Sequence, residues 1–558
     1  MTNAAIADNF SLLSKLMDIH EENSFRAKSY SIATFHIEKL PEELSVLPKE
    51  KIFTIKGIGE SAGQKIVEQL ETGTLKVLED YINKTPKGII EMLQYIKGLG
   101  PKKIATVWKE MGIESIGELL YACNENRLTL YKGFGEKTQE SVRKSIEFYL
   151  NTFGSYLYAQ VETYALTFET HLKQFFKTDL TDLVGDFKRQ IPVIEKIEFT
   201  TSVSQQNIKN FFTTNGYQIQ DENEYSISLK GNENILLQFY FTTKENYYTT
   251  VFKHNCSEQF LNKWTELFGF DAAKNYTSEQ EIFATHNVQF IDACKRESVE
   301  VIELAKQHQL PVSITEKDIT AIIHSHSKWS DGSNTLEEMV KAAIAKGLQY
   351  LVISDHSKTA FYAQGLTVER VLAQHQEIDE LNKKYAPFKI FKSIESDILG
   401  DGSLDYETDI LQQFDLVIAS IHSNLNVTEE KAMQRLITAI ENPYTTILGH
   451  LTGRLLLSRN GYPINHHKII DACAAHNVVI ELNAHPRRLD IDWQFIDAAL
   501  EKNVIISINP DAHNIDGYDD CRYGVLAAQK TLLTKEKNLS SFSLQQFEEF
   551  LSEQGKKK

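Results

Sequence analysis

The chain lacks the features that mark secreted, disulfide-rich and membrane proteins. Its cysteines are scattered and form no CxxC pair, which argues against a disulfide framework and a thiolate zinc site; they are Cys123, Cys256, Cys294, Cys473 and Cys521. The first residues, MTNAAIADNFSLLSKLMD, lack a basic segment followed by a long apolar core. No later apolar run approaches the roughly 20 residues of a membrane span. We therefore expect a cytoplasmic protein that does not contact a membrane.

Positive charge is also scarce. The formal net charge is −17, from 59 Lys and Arg residues against 76 Asp and Glu residues. A nucleic-acid contact would therefore have to use local patches or backbone donors. At 558 residues the chain is too long for one hydrophobic core, and its 42% hydrophobic and 24% charged residues are typical of folded proteins. The composition thus predicts several folded domains.

The first 150 residues have a helical pattern that three glycine loops interrupt. The loops are IKGIGES at 55–61, IKGLGPKK at 96–103 and YKGFGEKT at 131–138. Glycine permits a tight turn, and the free amides of the following helix can bind a phosphate without reading sequence. One such glycine is usually only a helix stop, but three loops of the same form favour DNA binding. The candidate residues are Gly57, Gly59, Gly98, Gly100, Lys102, Lys103, Gly133 and Gly135.

After residue 150 the pattern of apolar and polar residues changes twice. Between residues 151 and 303 the runs KIEFTTSV, SISLKG and ILLQFYFTT are candidate strands, and 310–319 reads as a linker. Seven apolar runs then alternate with amphipathic helices, which predicts parallel strands buried on both faces, in a barrel or an open sheet. Because no GxGxxG follows the first of these runs, a dinucleotide fold is disfavoured.

Imidazoles and carboxylates follow these seven runs where the strands end. His324 and His326 are two residues apart, a spacing that points both side chains to one face of a strand. The carboxyl ends of parallel strands meet at one edge, which carries the active site in barrel enzymes. The full set is His324, His326, Asp331, His356, Glu395, His422, His450, Asp511 and His513.

Imidazole and carboxylate ligands without a thiolate suit Mn²⁺ or Zn²⁺, with Fe²⁺ or Mg²⁺ as alternatives. Nine ligands exceed what one ion uses, so we expect two or three ions with Glu395 as the bridging carboxylate. A single histidine of this kind would more often be a hydrogen-bonded residue at a strand end. Nine of them together favour a metal centre.

Residues 318–551 resemble the polymerase-and-histidinol-phosphatase (PHP) family, and all nine positions of its ligand motifs are filled. The resemblance implies a distorted (β/α)₇ barrel that holds up to three metal ions and hydrolyses phosphoesters, with Glu395 and His422 in the catalytic centre. Arg454 in GHLTGR and Arg488 in HPRRLD follow strands five and six, where a guanidinium could hold a phosphate. A surface or helix-capping arginine is the alternative for both.

The order of these segments resembles a bacterial family X DNA polymerase with a C-terminal PHP domain. That resemblance implies a lyase-like helix-hairpin-helix domain at 1–80, a fingers-like one at 81–150, an α+β nucleotidyltransferase-like palm at 151–240, a thumb-like region at 241–309, the linker at 310–319 and the PHP barrel at 320–558. Lys65 aligns with the Schiff-base lysine of the family's lyase domain, although a solvated helix lysine is the alternative.

The palm departs from the family pattern. The family has a Gly-Ser turn followed by two basic residues and an Asp-x-Asp pair for two Mg²⁺ ions. Here Asp186 follows Gly185, and Lys196 and Glu198 stand at the paired aspartates. The third carboxylate aligns with Leu236. A lysine repels the ion that an aspartate would bind. The sequence therefore predicts that polymerase activity is lost.

The sequence favours a metal-dependent phosphoesterase that processes DNA. We expect a 3′→5′ exonuclease of DNA repair, with abasic-site endonuclease or 3′-phosphatase activity as further reactions of the same centre, acting on gapped, abasic or 3′-ended DNA. Three alternatives are an active family X polymerase with exonuclease activity, a small-molecule phosphatase of the histidinol-phosphate type, and a DNA-binding scaffold without activity.

Overall fold

The structure is a computed structural model that describes residues 1–21, 24–124, 128–152, 154–231, 234–271, 274–457 and 460–557. The chain divides into two compact units, 1–153 and 154–558. None of the helices in these described ranges has the length and apolar composition that crossing a membrane requires. The finer domain boundaries expected from the sequence stay predictions.

The first unit is entirely helical. Its helices are α1 (Asn3–Ile19), α2 (Ser24–Ile37), α3 (Lys49–Ile52), α4 (Glu60–Thr72), α5 (Lys76–Lys84), α6 (Lys87–Tyr95), α7 (Pro101–Ala105), α8 (Ile116–Asn124) and α9 (Glu136–Thr152). Each amphipathic helix turns its apolar face to one core, as α4 does with Ala62 and Ile66. The three glycine loops directly precede α4, α7 and α9, so the predicted helix-loop-helix pattern is confirmed.

The second unit begins with a mixed sheet. The elements are β1 (Tyr156–Leu157), α10 (Tyr158–Phe176), β2 (Thr181–Val184), α11 (Gly185–Lys188), β3 (Val193–Ile194), β4 (Lys196–Thr201), α12 (Gln205–Thr214), β5 (Gln218–Glu222), β6 (Ser226–Lys230) and β7 (Leu236–Phe241). Five strands form one sheet in the order β2-β4-β7-β6-β5, in which β4 and β7 are parallel. Phe168 and Phe212, on α10 and α12, pack against Phe199 and Phe239 of the sheet. The three predicted strands are confirmed.

Four helices follow, α13 (Tyr247–His254), α14 (Glu258–Phe268), α15 (Glu279–Ala284) and α16 (Glu300–Lys306). They enclose a small aromatic core around Trp264 and Phe283. The guanidinium of Arg296 is fully buried beside this core, where it pairs with Glu279 at 2.6 Å and lies 5.0 Å from the Phe283 ring centroid. A buried charge needs such a partner. The apolar side chains around Trp264 form a hydrophobic core separate from that of the sheet.

The remaining chain alternates strands and helices. These are β8 (Ala321–Ile322), α17 (Leu336–Ala345), β9 (Tyr350–Ile353), α18 (Val368–Tyr385), β10 (Lys389–Asp397), α19 (Thr408–Leu411), β11 (Leu416–Ser420), α20 (Glu429–Glu441), β12 (Ile447–Leu448), α21 (His466–His476), β13 (Val479–Asn483), α22 (Ile496–Glu501), β14 (Ile506–Asn509), α23 (Cys521–Gln529) and α24 (Leu544–Gly555).

All seven strands, β8 to β14, are parallel and lie in chain order. Beyond the ends of β8 and β14, Ser325 pairs with Ala512 in parallel, and the His326 amide donates to the Ala512 carbonyl at 2.8 Å. This contact nearly closes the sheet. Of the two architectures that the sequence allowed, the structure is therefore the barrel.

Candidate metal centre

The nine predicted ligands lie at one edge of the barrel. His324 and His326 follow β8, His356 follows β9 and Glu395 lies near the end of β10. His422, His450, Asp511 and His513 follow β11, β12 and β14, and Asp331 lies in the loop after β8. Only β13 contributes none of the nine. The parallel arrangement thus gathers side chains that are up to 189 residues apart in the chain.

Potential ligand atoms of eight of the nine residues fall into three groups, each with all atoms within 4.8 Å of one another. The groups are His326, Asp331, His356 and His513; His324, His326 and Asp511; and His356, Glu395 and His422. His450 joins them through its Nε2, which lies 2.8 Å from Glu395 Oε1. In the described part of the chain, no other place brings three such ligands together.

Glu395 lies between these groups. Its Oε1 is 2.8 Å from His450 Nε2 and 3.1 Å from His422 Nε2, and its Oε2 is 2.9 Å from His356 Nδ1. The side chain is fully buried. A carboxylate with both oxygens among imidazoles from different strands is suited to bridge two ions.

The spacing of the buried donors fits a divalent ion. His324 Nε2 lies 3.5 Å from Glu395 Oε1 and 3.5 Å from Asp511 Oδ1, and it makes no hydrogen bond with the described residues. A buried polar atom without a partner is costly. Ligands that bind one ion at about 2.0–2.2 Å lie roughly 3–3.5 Å apart, as these atoms do. Nitrogen and oxygen donors without sulfur suit the metals expected from the sequence.

Charge within the cluster also favours a cation. Burial alone would raise the pKa of Glu395, but the imidazoles of His422 and His324 hold it well below its usual range. Burial alone would lower the pKa of His422, but Glu395 and Asp397 raise it to about 10. Burial lowers the pKa of His326 to about 3. Protons and metal ions compete for the same nitrogen lone pairs, so metal binding here should release protons.

The two candidate arginines take different positions. Arg454 donates to the backbone carbonyls of Arg488 and Leu489 and pairs with Asp492, so its guanidinium is engaged by its own loop. Arg488 instead turns its Nε toward the cluster, 3.6 Å from Asp511 Oδ2. The structure therefore brings Arg488 to the nine residues and leaves Arg454 at the side of the site.

The sequence analysis missed two buried carboxylates, Glu481 and Asp397, which contact histidines of the cluster. Asp397 lies two residues after Glu395 on β10, the same spacing that revealed His324 and His326. Glu481 interrupts the apolar strand β13. An acid inside an otherwise apolar strand was the available signal for it.

The palm positions form ion pairs within the chain. Lys196 lies opposite Leu236 in the parallel pair of β4 and β7, and its Nζ is 2.8 Å from Glu198 Oε1. The Tyr240 hydroxyl donates to the same oxygen at 2.7 Å, and the Asp186 amide donates to Glu198 Oε2 at 3.2 Å. Both oxygens of Glu198 are thus occupied.

The carboxylate of Asp186, the residue after Gly185, also forms an ion pair. Asp186 pairs with Arg189, whose Nε is also 2.6 Å from Glu297 Oε1. Glu198 and the neighbouring Asp186 therefore each pair with a basic side chain of the chain itself.

The glycine loops have a shared geometry. The first glycine of each loop has a positive φ, 84° at Gly57, 85° at Gly98 and 93° at Gly133, which side chains rarely adopt. The second glycine directly precedes a helix, and at Gly100 and Gly135 an added Cβ would meet no atom within 4 Å. The amides at these helix starts are therefore open to a close backbone approach.

Lysines next to these loops differ in their surroundings. Lys102 is exposed, and Lys103 Nζ lies 5.7 Å from the ring centroid of Phe134 in the third loop. Lys65, the candidate lyase residue, pairs with Glu68 at 2.5 Å on the surface of α4. The DNA-binding and lyase roles of these residues stay predictions.

The fold and the site define a class. Residues 323–485 match the PHP domain, residues 1–75 match a helix-hairpin-helix domain, and residues 90–147 match a SAM-like helix-hairpin-helix tandem. The protein is thus a multidomain enzyme that joins helix-hairpin-helix modules to a PHP barrel of the metal-dependent phosphoesterase type.

The chain belongs to the PolX family of family X DNA polymerases. It is 31% identical over 561 aligned residues to the DNA polymerase/3′-5′ exonuclease PolX of Bacillus subtilis (strain 168), with 96% of each chain covered. The resemblance inferred from the sequence is confirmed.

Shorter relatives match about a third of the chain. A probable phosphatase of Thermoanaerobacter sp. (strain X514) is 29% identical over 201 residues, 34% of this chain and 77% of its own. A probable phosphatase of Caldicellulosiruptor saccharolyticus is 28% identical over 205 residues, with 34% and 78% covered.

Proposed function

We propose that this protein is a metal-dependent 3′→5′ DNA exonuclease of DNA repair whose palm no longer synthesises DNA. The contrast between two centres carries the proposal. The barrel gathers nine potential ligands around Glu395, whereas the palm pairs Glu198 with Lys196 and Asp186 with Arg189. The exonuclease activity in the name of the Bacillus relative supports the first half of the proposal. The palm ion pairs support the second.

The nine residues would hold two or three divalent ions, with Mn²⁺ or Zn²⁺ as our first candidates. Such ions, when bound, supply an activated water and neutralise phosphate oxygens. Glu395 would keep neighbouring ion positions together because it contacts imidazoles from three strands. Arg488, beside Asp511, would orient the phosphate through its guanidinium. His422 directs its Nε2 to Glu395 at the centre of the site.

The helix-hairpin-helix loops would supply affinity for the DNA backbone without sequence preference. Their glycines expose helix-start amides, and Lys102 and Lys103 add local positive charge to a chain of net charge −17. We therefore propose gapped, abasic or 3′-ended DNA as the substrate class. Abasic-site endonuclease and 3′-phosphatase reactions would attack phosphoesters near the same end.

The test is digestion of 3′-labelled single-stranded, gapped and abasic DNA by the full chain loaded with Mn²⁺. We expect stepwise loss of 3′ nucleotides, and we expect Glu395→Gln and His422→Ala to abolish it. Asp401→Asn is the matched control, since this exposed carboxylate follows the same strand β10 and accepts hydrogen bonds from the amide and hydroxyl of Ser403 in its own turn. Loss of activity in the control would indicate a general effect of removing a charge from this region.

A small-molecule phosphatase is the second candidate, because two of the relatives are probable phosphatases. The same preparation distinguishes the two functions. If it hydrolyses small phosphate monoesters rapidly but leaves every DNA substrate intact, the exonuclease proposal is wrong and the phosphatase is correct.

A further inference from the structure

Glu481 holds three strand ends of the metal centre from behind. It is fully buried on β13 and accepts hydrogen bonds from His324 Nδ1 at 2.7 Å and from the His450 amide at 3.0 Å. The side-chain amides of Asn509 and Asn483 donate to it at 2.8 and 3.0 Å. This one carboxylate therefore ties the ends of β8, β12 and β14 to β13.

Asp397 has the corresponding position on the other side of Glu395. It is 4% exposed at the end of β10, and it contacts His422 Nδ1 and accepts from the Thr359 hydroxyl at 2.7 Å. Its own amide donates to Ser357 Oγ at 2.9 Å, which fixes the strand end.

These contacts determine which imidazole nitrogen faces the cluster. A histidine that gives its Nδ1 hydrogen to a carboxylate keeps the Nε2 lone pair free for a metal. His324 Nε2 accordingly points between Glu395 and Asp511, and His422 Nε2 lies 3.1 Å from Glu395 Oε1. By contrast, His326 Nδ1 and His450 Nδ1 are buried without a hydrogen bond to the described residues. Among the nine ligands in the described residues, only His324 and His422 thus have an Nδ1 hydrogen bond to a buried carboxylate from outside the nine.

The two supported histidines belong to different ligand groups. His324 lies with His326 and Asp511, and His422 lies with His356 and Glu395. We propose that Glu481 and Asp397 are positioning residues that each control one metal position, Glu481 through His324 and Asp397 through His422. The inference rests on the metal centre of the proposed function, but its test does not depend on DNA hydrolysis.

The experiment measures Mn²⁺ bound per full-length chain by equilibrium dialysis across a range of free Mn²⁺ concentrations. Glu481→Gln should weaken one binding step by roughly 10- to 100-fold and leave the others unchanged, and Asp397→Asn should weaken a different step by a similar factor. Combining Glu481→Gln with Asp511→Asn should weaken binding by less than the product of the single effects, because both act on one position. Combining Asp397→Asn with Asp511→Asn should give the full product.

Asp490→Asn is the matched control. Asp490 is equally buried at the same edge, but it accepts from the Thr452 amide and hydroxyl, and no hydrogen bond or ion pair among the described residues joins it to the nine ligands. Its variant should bind Mn²⁺ as the unmodified chain does. Equal weakening of every step in all three variants, or unchanged isotherms in Glu481→Gln and Asp397→Asn, would overturn the inference.

Two further outcomes keep the conclusions separate. If Glu481→Gln does not fold, as judged by circular dichroism, Glu481→Asp keeps the charge, draws the carboxylate back by one methylene and should weaken the same step. Selective loss of metal without any DNA hydrolysis in the unmodified chain would support the positioning role and contradict the exonuclease. Robust DNA hydrolysis by the unmodified chain, together with unaltered Mn²⁺ isotherms in the variants, would support the exonuclease and contradict the positioning role.

Discussion

Arg454 and Arg488 show how residues of one type differ through their immediate partners. Both follow neighbouring strands at the same edge of the barrel. Arg454 is engaged by Asp492 and by backbone carbonyls, whereas Arg488 turns toward Asp511. Only the second guanidinium is placed to meet a phosphate at the metal centre.

Arg488→Met should lower kcat/KM for 3′-labelled DNA by roughly 10- to 100-fold, since a charge-assisted contact contributes about 1.5–3 kcal/mol. Bound Mn²⁺ should not change. Arg454→Met should chiefly lower the free energy of unfolding, by about 1–2 kcal/mol, because it releases the loop that Arg454 holds. Digestion kinetics and urea unfolding measure these effects. Equal kinetic losses in both variants at unchanged stability would contradict the assignment.

His254 is a titrating residue at the end of α13. Its ring stacks on Tyr240 with centroids 3.6 Å apart, and burial together with Lys253, Lys196 and Arg189 lowers its pKa to about 3. A folded-state pKa below the unfolded value of about 6.5 means that protonation favours the unfolded chain. This effect is absent above about pH 6.5 and grows as the pH falls toward 3.

His254→Phe keeps an aromatic ring but cannot be protonated. We expect the variant to lose less stability than the unmodified chain between pH 7 and pH 5, by up to about 2 kcal/mol. Urea unfolding at the two pH values, followed by tryptophan fluorescence or far-ultraviolet circular dichroism, measures the difference. Identical pH dependence in both proteins would show that His254 does not contribute.

At the scale of elements, the three glycine loops share one backbone conformation. A first glycine with positive φ turns the chain, and a second glycine starts the next helix. Strands β4 and β7 differ from the loops in this respect. Their backbones pair as a regular parallel ladder, but their side chains depart from the family pattern described above. Lys196 and Leu236 pair in register, at the two positions that we predict from the sequence to align with carboxylates of the family.

Gly98→Ala should weaken DNA binding because a φ of 85° strains an alanine and shifts the amides of the second loop. Gly73→Ala is the matched control, since Gly73 has a φ of 75° at the end of α4, outside the loops. Both variants should lose about 1–2 kcal/mol of stability, and only Gly98→Ala should lose DNA affinity. Fluorescence anisotropy of labelled duplex DNA at low salt measures this. A similar loss of affinity in both variants would mean that the loop is not a DNA contact.

At the scale of the whole molecule, a chain of net charge −17 combines three glycine loops that precede helices with a barrel whose edge gathers nine potential metal ligands. The five-stranded sheet between them in sequence has an aromatic core, and Glu198 and the nearby Asp186 pair with Lys196 and Arg189. The chain therefore keeps the family architecture, and the loss of metal-binding groups from the palm stays a prediction.

We expect no template-directed extension by the full chain with Mg²⁺ or Mn²⁺. Glu395→Ala provides the background for this assay, because degradation then cannot hide synthesis. Loss of the metal-binding carboxylates costs several kcal/mol of barrier lowering, or roughly 10³-fold and more in rate. Primer extension on gapped DNA measures it. Robust templated incorporation by this variant would return the chain to the active polymerases.

The sequence alone determined the barrel strands, the helix-loop-helix pattern and the nine-residue set at one edge. These follow from local periodicity, and parallel strands bring their carboxyl ends together whatever lies between them. Residue identity also predicts an altered palm, which stays a prediction.

Only the tertiary structure decided how these residues are used. His324 and Glu481 are 157 residues apart and meet because β8 and β13 share one barrel. The engagement of Arg454 by Asp492, the approach of Arg488 to Asp511 and the division of the ligands into groups depend on side-chain directions at such contacts. Local sequence carries little information about them, because each direction is set by partners that only the closed sheet brings near.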